Sequence, residues 1–467
     1  METMTPSQAT AADAKFSAKR RFFDRGHTRA YGFRTAQLKA LLKGIERHED
    51  AVIKAAYEDL HKSEAEAYIT EIAVTKEEIK HTLHHLKDWM QPERRDTPLV
   101  IQPSSSKIMY EPKGVVLIIA PWNYPFQLAF APLVGAIAAG NCAVIKPSEE
   151  APATAAVIET LVKDVFAEDY VSVVQGLGHE VVPAMMKAHD FNHIFFTGSP
   201  AVGSMVAKQA AEKLTPTTLE LGGKSPGIVD ASADLKVAVR RLVFAKFTNA
   251  GQTCVAPDYL LVHTSVKEKF LTEAIKCIED FYGKEPQKSA DYGRMINAKR
   301  FNTVSAFIGD GKLIYGGQTD AADKYIAPTL IEVESLDSPV MREEIFGPVW
   351  PVLTWNERSD LLEITRHMRY PLACYVFTGD KATEKLVTEQ IEFGGGCVNN
   401  ALIHLANPDL PFGGIQGSGS GNYHGRHSFT AFSHAKSILK SATWADPRIK
   451  YPPFGKWKLS WLRRLMG

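Results

Sequence analysis

Between Lys113 and Phe196, short apolar runs alternate with segments of helical periodicity, and this alternation restricts the fold more than any other feature of the chain. Gly114-Val115-Val116-Leu117-Ile118-Ile119-Ala120 is continuously apolar and largely β-branched, as expected of a strand covered on both faces. The spacing predicts a helix over 126–139 closed by Gly140, a strand over 142–145 and a helix over 154–166. A strand over 171–174, a helix near 181–188 and a strand over 192–196 follow. A βαβαβ order of this kind makes a parallel sheet wound with helices, a common frame for nucleotides.

From about Ala14 to Pro92 the pattern is helical, with Leu38, Leu41, Leu42 and Ile45 on one face; 92–106 is turn-rich. Beyond Gly222 a second α/β block runs to about Val398. It has helices over 235–247 and 266–282, a strand over 259–263, and a segment 338–346 leading into a strand over 349–353. Residues 410–429 are too glycine-rich for a regular element.

A chain of 467 residues should hold two or more domains. A net charge of +1 gives no electrostatic case for nucleic acid, and no apolar run is long enough to span a membrane. The N-terminus lacks the apolar core of a secretory signal, and five cysteines without framework spacing suit a reducing compartment. A cytoplasmic protein is expected, with no metal site.

Two residues carry the chemistry. Glu220 lies between Leu219 and Leu221, just before Gly222 and Gly223. Cys254 follows Asn249 and Gly251 in a run of small and polar residues that permits approach to a ligand. A thiolate is a strong nucleophile and a buried carboxylate can act as a general base, so one of each suffices for covalent acyl chemistry. Cys142 and Cys374 have apolar neighbours and read as core, as does Cys277 within a helical pattern; Cys397 has no supporting motif. Ser199-Pro200 can start a helix and leave amide N–H groups free for an anion. Gly176-Leu177-Gly178 resembles half of a dinucleotide fingerprint and lacks the third glycine.

LELGGKSP from Leu219, and GQTC ending at Cys254, resemble the two signature motifs of the NAD(P)-dependent aldehyde dehydrogenase superfamily. FFDRGHTRAYGFRTAQLKAL is similar to the start of its class 3 (fatty and aromatic aldehyde) branch. The resemblance implies the α/β aldehyde dehydrogenase fold: a Rossmann-like cofactor domain, an α/β catalytic domain and a small β oligomerisation arm. Domain bounds of 1–221, 222–398, a return segment at 399–434 and a final strand and tail at 435–467 are expected, with 107–112 pairing into the arm. It implies Cys254 as nucleophile, Glu220 as deacylating base and Asn123, in PWNYPF, as oxyanion donor. For NAD or NADP it implies Lys146 and Glu149 in KPSEE, Gly198, Ser199 and Gly203 in FTGSPAVG, Leu221, and Glu344 and Phe346 in EIFGP. Glu344 is the second candidate for the base.

The implied activity is oxidation of medium- or long-chain aliphatic or aromatic aldehydes to acids through a thioester, by a homodimer. A CoA-acylating enzyme would have little use for Glu220. A cysteine hydrolase would want a histidine partner for Cys254, and none sits in a recognisable motif. A retired binding protein would have no need of the Asn123, Glu220 and Cys254 set. In the tail KWKLSWLRRLMG, a helix would gather Trp457, Trp461, Leu462, Leu465 and Met466 on one face with Lys458 among them. That face suits the dimer partner or a membrane surface.

Overall fold

The computed structural model describes residues 16–466. The expectations for the N-terminal stretch, including the first residues of the opening helix at Ala14 and Lys15, lie outside it.

Strand β1 (Val115–Ile119) is buried along its whole length and stands at the centre of a sheet with β2 (Cys142–Lys146), β3 (Val171–Val173), β4 (His193–Thr197) and β5 (Thr217–Glu220). The order is β3-β2-β1-β4-β5, all parallel. The short strand Gly419–Ser420 closes the β5 edge antiparallel. Strand order reverses between β1 and β4, and in open α/β sheets a ligand crevice opens at the carboxyl ends on either side of that point.

The helix Gln127–Ala139 is buried on nearly every side, which explains its apolar sequence. It ends at Gly140, whose φ of 90° is one that residues with a Cβ rarely adopt. The Arg34 guanidinium, from the helix Tyr31–Arg47, donates to the Ala138 carbonyl at 2.8 Å and satisfies that helix end.

The second sheet has seven strands in the order Lys312–Tyr315, Thr329–Glu332, Val349–Trp355, Tyr259–His263, Pro226–Val229, Ala373–Phe377 and Gly395–Val398. All neighbours are parallel except the first pair. A third, antiparallel sheet joins Glu93–Arg95, Ser104–Pro112 and Ser433–Ser441. The stretch 107–112, expected to pair into the arm, thus lies within a longer pairing of 104–112 with 433–441. The turn-rich stretch after Pro92 also holds a short strand, Glu93–Arg95, which a charged triplet does not advertise.

The tail forms the helix Lys456–Met466. Trp457 is 66% exposed and Trp461 43%, while Lys458 turns its ammonium back to the Tyr451 carbonyl at 2.8 Å. The side chains of Leu465 and Met466 lie outside the described set. Among the described residues no helix is long and apolar enough to cross a membrane.

Candidate active site

The site forms where β1, β4 and β5 end and meet the loop that precedes Tyr259–His263. Glu220 is the last residue of β5, and its carbonyl accepts from Gly198 N at 3.0 Å, so the ends of β4 and β5 are tied together. Its carboxyl is 2% exposed, and neither oxygen has a hydrogen-bond partner. Burial alone pushes its pKa well above the usual carboxylate range.

Cys254 is half-buried on a loop of unusual backbone. Asn249 and Ala250 hold φ of 53° and 50°, and Gly251 follows at 76°. Residues with a Cβ occupy that region only where the surroundings compel it. Here the compulsion is hydrogen bonding. Asn249 N donates to a Glu66 carboxylate oxygen at 2.7 Å, and Asn249 Nδ2 donates to the carbonyls of Asn123 at 2.8 Å and Gln252 at 3.1 Å. Gln252 Nε2 donates to the carbonyls of Asn249 and Arg294, and its Oε1 accepts from Ile296 N. Burial, then the charges of Glu344 and Glu220, push the Cys254 thiol up to about 12. Both carboxyls thus lie within electrostatic reach of the sulfur.

Asn123 is buried in the loop after β1, with Nδ2 donating to the Gln252 carbonyl at 3.1 Å. Its own carbonyl also accepts from Lys62 Nζ at 2.9 Å. Lys62 forms a buried ion pair of 2.6 Å with Glu71, whose other oxygen accepts from the amides of Phe126 and Gln127. The N-terminal helices therefore hold the Asn123 loop from behind.

Around Glu220 the remaining groups fall into place. Glu344 lies over Gly222, where an added Cβ would come 1.9 Å from its Oε2, and it accepts from the Gly223 amide. Burial and the nearby Asp258 raise its pKa to about 8, against the opposing pull of Gly223, Lys224 and Arg300. The Phe346 ring meets Trp122 edge-on at 5.2 Å, next to Asn123. Leu221 packs where a Cβ on Gly203 would sit, 2.6 Å away, so the helix Pro200–Ala211 lies close on the sheet.

Ser199 caps that helix, accepting from Val202 N at 3.4 Å, with Pro200 at its first position. At the end of β2, Lys146 pairs with Glu149, whose other oxygen accepts from Gly178 N at 2.6 Å. Burial raises the Glu149 pKa, but the hydrogen bonds from Lys146 and Gly178 outweigh it and the net shift is downward.

The sequence alone did not single out Lys62, Glu71, Asn249, Gln252, Lys224, Asp258 or Tyr423. Asn249, Gln252, Lys224 and Asp258 lie in or beside the two motifs, which was the available signal. Tyr423, buried in the glycine-rich segment, feels the charges of Glu220 and Cys254. That segment is held against the site, with Leu221 N donating to the Ser418 carbonyl at 3.0 Å and Gly419 pairing with Glu220.

Residues 1–438 match the aldehyde dehydrogenase family. The chain belongs to that family. It is 45% identical to a Staphylococcus aureus 4,4'-diaponeurosporen-aldehyde dehydrogenase over 449 residues, covering 96% of this chain and 97% of the relative. It is 42% identical to the dog enzyme "Aldehyde dehydrogenase, dimeric NADP-preferring", covering 92% and 95% of the two chains. The structure of a substrate-bound Staphylococcus aureus AldH superposes with a TM-score of 0.94 at 44% identity, covering 97% of this chain and 99% of the other. This aldehyde dehydrogenase oxidises aldehydes to acids with NAD or NADP as cofactor.

The residues fit such a cofactor. The helix start at Ser199-Pro200 offers the positive end of a helix dipole to an anion, and Gly198 leaves no room for a Cβ, which would meet the Phe196 ring at 2.6 Å. The Lys146–Glu149 pair stands at the end of β2 in the position of an acidic ribose ligand.

Proposed function

We propose that Cys254 attacks the aldehyde carbon, that Asn123 Nδ2 and the Cys254 backbone N–H receive the oxyanion, and that Glu220 activates the water that hydrolyses the thioester. The observation that carries this reading is the buried, doubly unpartnered Glu220 carboxyl within electrostatic reach of the Cys254 thiol. Such a group is costly to keep unless it works.

At rest, burial favours the protonated form of both thiol and carboxyl. The oxyanion needs donors fixed in advance, and the hydrogen bonds that brace Asn123 and the strained cysteine loop provide them. Bound NAD(P)⁺ supplies the hydride acceptor and a positive ring whose charge favours the thiolate. Lys146 and Glu149 would hold one ribose, Gly198, Ser199 and Gly203 the pyrophosphate with Leu221 packed behind, and Glu344 the second ribose with Phe346 against it. For deacylation Glu220 first gives its own proton to solvent; the carboxylate then takes the water's proton as the water oxygen attacks the thioester, and the released Cys254 sulfur is reprotonated. We read the substrate as a medium- or long-chain aliphatic or aromatic aldehyde.

The test is aldehyde-dependent growth of reduced-nicotinamide absorbance, abolished in Cys254→Ala. Wild-type turnover in that variant would refute the assignment. The intact Glu220 argues against a CoA-acylating enzyme, and acyl-CoA formed on adding CoA would reverse that judgement.

We also read the sheet at residues 1–221 with its leading helices as the cofactor domain, 222–398 as the catalytic domain and 399–434 as the return segment. The largely exposed strand Ser433–Ser441 ends its sheet, and the mostly half-buried strand Gly395–Val398 ends another. Unpaired edges invite a second chain, which supports a homodimer. Light scattering at twice the 51.6 kDa chain mass is the expected result, and a monomer would overturn it. We place the protein in the cytoplasm. Exposed Trp457, Trp461, Phe454 and Trp444 beside Arg463 and Arg464 favour weak contact of the tail with an anionic membrane surface. Co-sedimentation with anionic liposomes should be lost on deleting 456–467; binding unaffected by the deletion would retire the idea.

A further inference from the structure

A second cavity lies at the opposite end of the strand that carries Glu220. It is an open cleft of about 290 Å³ lined by Lys113, His193, Thr217, Thr218, Asn422 and Thr430, among others. It sits where β1, β4 and β5 begin, whereas Asn123, Ser199 and Glu220 sit where those strands end. At ~3.3 Å per residue, Thr217 and Glu220 are about 10 Å apart along β5. The cleft and the active site are thus separate places on one strand.

Lys113 is half-buried. Its Nζ lies 3.0 Å from His193 Nδ1 and donates to the Ala431 carbonyl at 2.5 Å. The Nε2 of His193 is 3.0 Å from Thr218 Oγ1. Burial, with the Lys113 charge beside it, holds the His193 pKa well below its usual value, so the imidazole is neutral and Nδ1 can accept from Lys113. Both partners of the Lys113 nitrogen are therefore uncharged, and one position on it remains for the cleft. No carboxylate among the described residues contributes to its environment, and burial lowers its pKa to about 8. An amine titrating there is about one-tenth free base at pH 7, whereas an ordinary lysine near 10.4 is free base only about once in 2,500. Lys246 is lowered equally but is fully buried and out of a ligand's reach.

We propose that Lys113 is a capture site for small aldehydes, which enter this cleft and form a reversible imine with its Nζ. The free amine attacks the carbonyl carbon, a C–N bond forms, and the oxygen takes a proton from nitrogen to give a carbinolamine. The hydroxyl then leaves with the remaining nitrogen proton as water while the C=N bond forms, so the step balances with no oxidant. The chemistry needs neither cofactor nor Cys254, so its outcome is independent of the oxidation mechanism proposed above.

The experiment is reductive trapping on the whole wild-type protein without NAD(P), using propanal and cyanoborohydride at pH 7, with modified lysines quantified by peptide mass spectrometry. Lys113 should be alkylated at least about tenfold faster than exposed lysines such as Lys187. Its rate should level off above pH 8–9 while theirs continue to climb. In Lys113→Arg the label at that peptide should vanish while the exposed lysines react as before. Alkylation of Lys113 no faster than Lys187, or with the same rising pH profile, would overturn the proposal.

Discussion

Lys224 and Asp258 form a buried ion pair, Nζ to Oδ2 at 2.6 Å, that joins the LELGGKSP motif to the end of the cysteine loop. Lys224 also donates to the Val340 carbonyl at 2.6 Å, and Asp258 accepts from Ile345 N at 3.1 Å, next to Glu344. Three separate segments thus meet on one pair of charges. Removing one partner leaves the other charge buried alone, a loss of about 3–5 kcal/mol. Asp258→Ala should cost that much in urea denaturation and depress turnover. Combined with Lys224→Met it should lose less than the sum of the two single changes. Additive losses would show that the pair does not act as a unit.

The Glu220 carboxyl gives stability a definite pH dependence. Its folded pKa is raised, so between about pH 4.3 and that value the folded state holds a proton that the unfolded chain releases. Stability is therefore fully present below about pH 4.3 and falls as pH rises. Glu220→Gln removes that penalty. Its thermal stability relative to wild type should grow as pH rises from 5, while aldehyde turnover falls by about 10²–10⁴. A flat difference across that range would mean the carboxylate is already ionised in the fold.

Glu149 keeps its carboxylate form against burial and engages Lys146. A negative group there repels a 2′-phosphate. Glu149→Gln should release Lys146 and shift kcat/KM toward NADP over NAD by about tenfold, roughly 1.4 kcal/mol. An unchanged ratio would place the adenosine ribose elsewhere.

The Asn249 side chain helps hold a left-handed turn through its hydrogen bonds to the carbonyls of Asn123 and Gln252. Asn249→Ala keeps the Cβ strain and loses both bonds, so about 2 kcal/mol of stability should go. The kcat should fall by more than the KM changes, because the loop positions Cys254 and braces Asn123. An increase in KM alone would mean the loop serves substrate binding instead.

Much of this was legible in the sequence. Strands β1, β2 and β4 read clearly because they are apolar on both faces, and Gly140 marked a helix end that its backbone requires. Strand β5 did not, since Thr217-Thr218-Leu219-Glu220 is four residues long and three of them are polar. The short strands Pro226–Val229, Ala373–Phe377 and Gly395–Val398 were likewise not distinguished within the second block. The reacting residues announced themselves through motifs. Their supports did not, because Lys62 reaches Asn123 across 61 positions and Lys224 reaches Val340 across 116, and no local pattern records such contacts. Lys113 likewise carries no sequence signal for its surroundings, which are set by the start of β4 and the end of the helix Gly425–Ala431.

The central claim is that an acyl group passes through the sulfur of Cys254 and waits there for water activated by Glu220. Intact-protein and peptide mass spectrometry of Glu220→Gln, quenched in acid after mixing with aldehyde and NAD⁺, tests it directly. The account predicts one acyl group per chain on the peptide holding Cys254, together with about one equivalent of reduced nicotinamide. An unmodified Cys254 alongside reduced nicotinamide, or steady wild-type turnover in that variant, would contradict it.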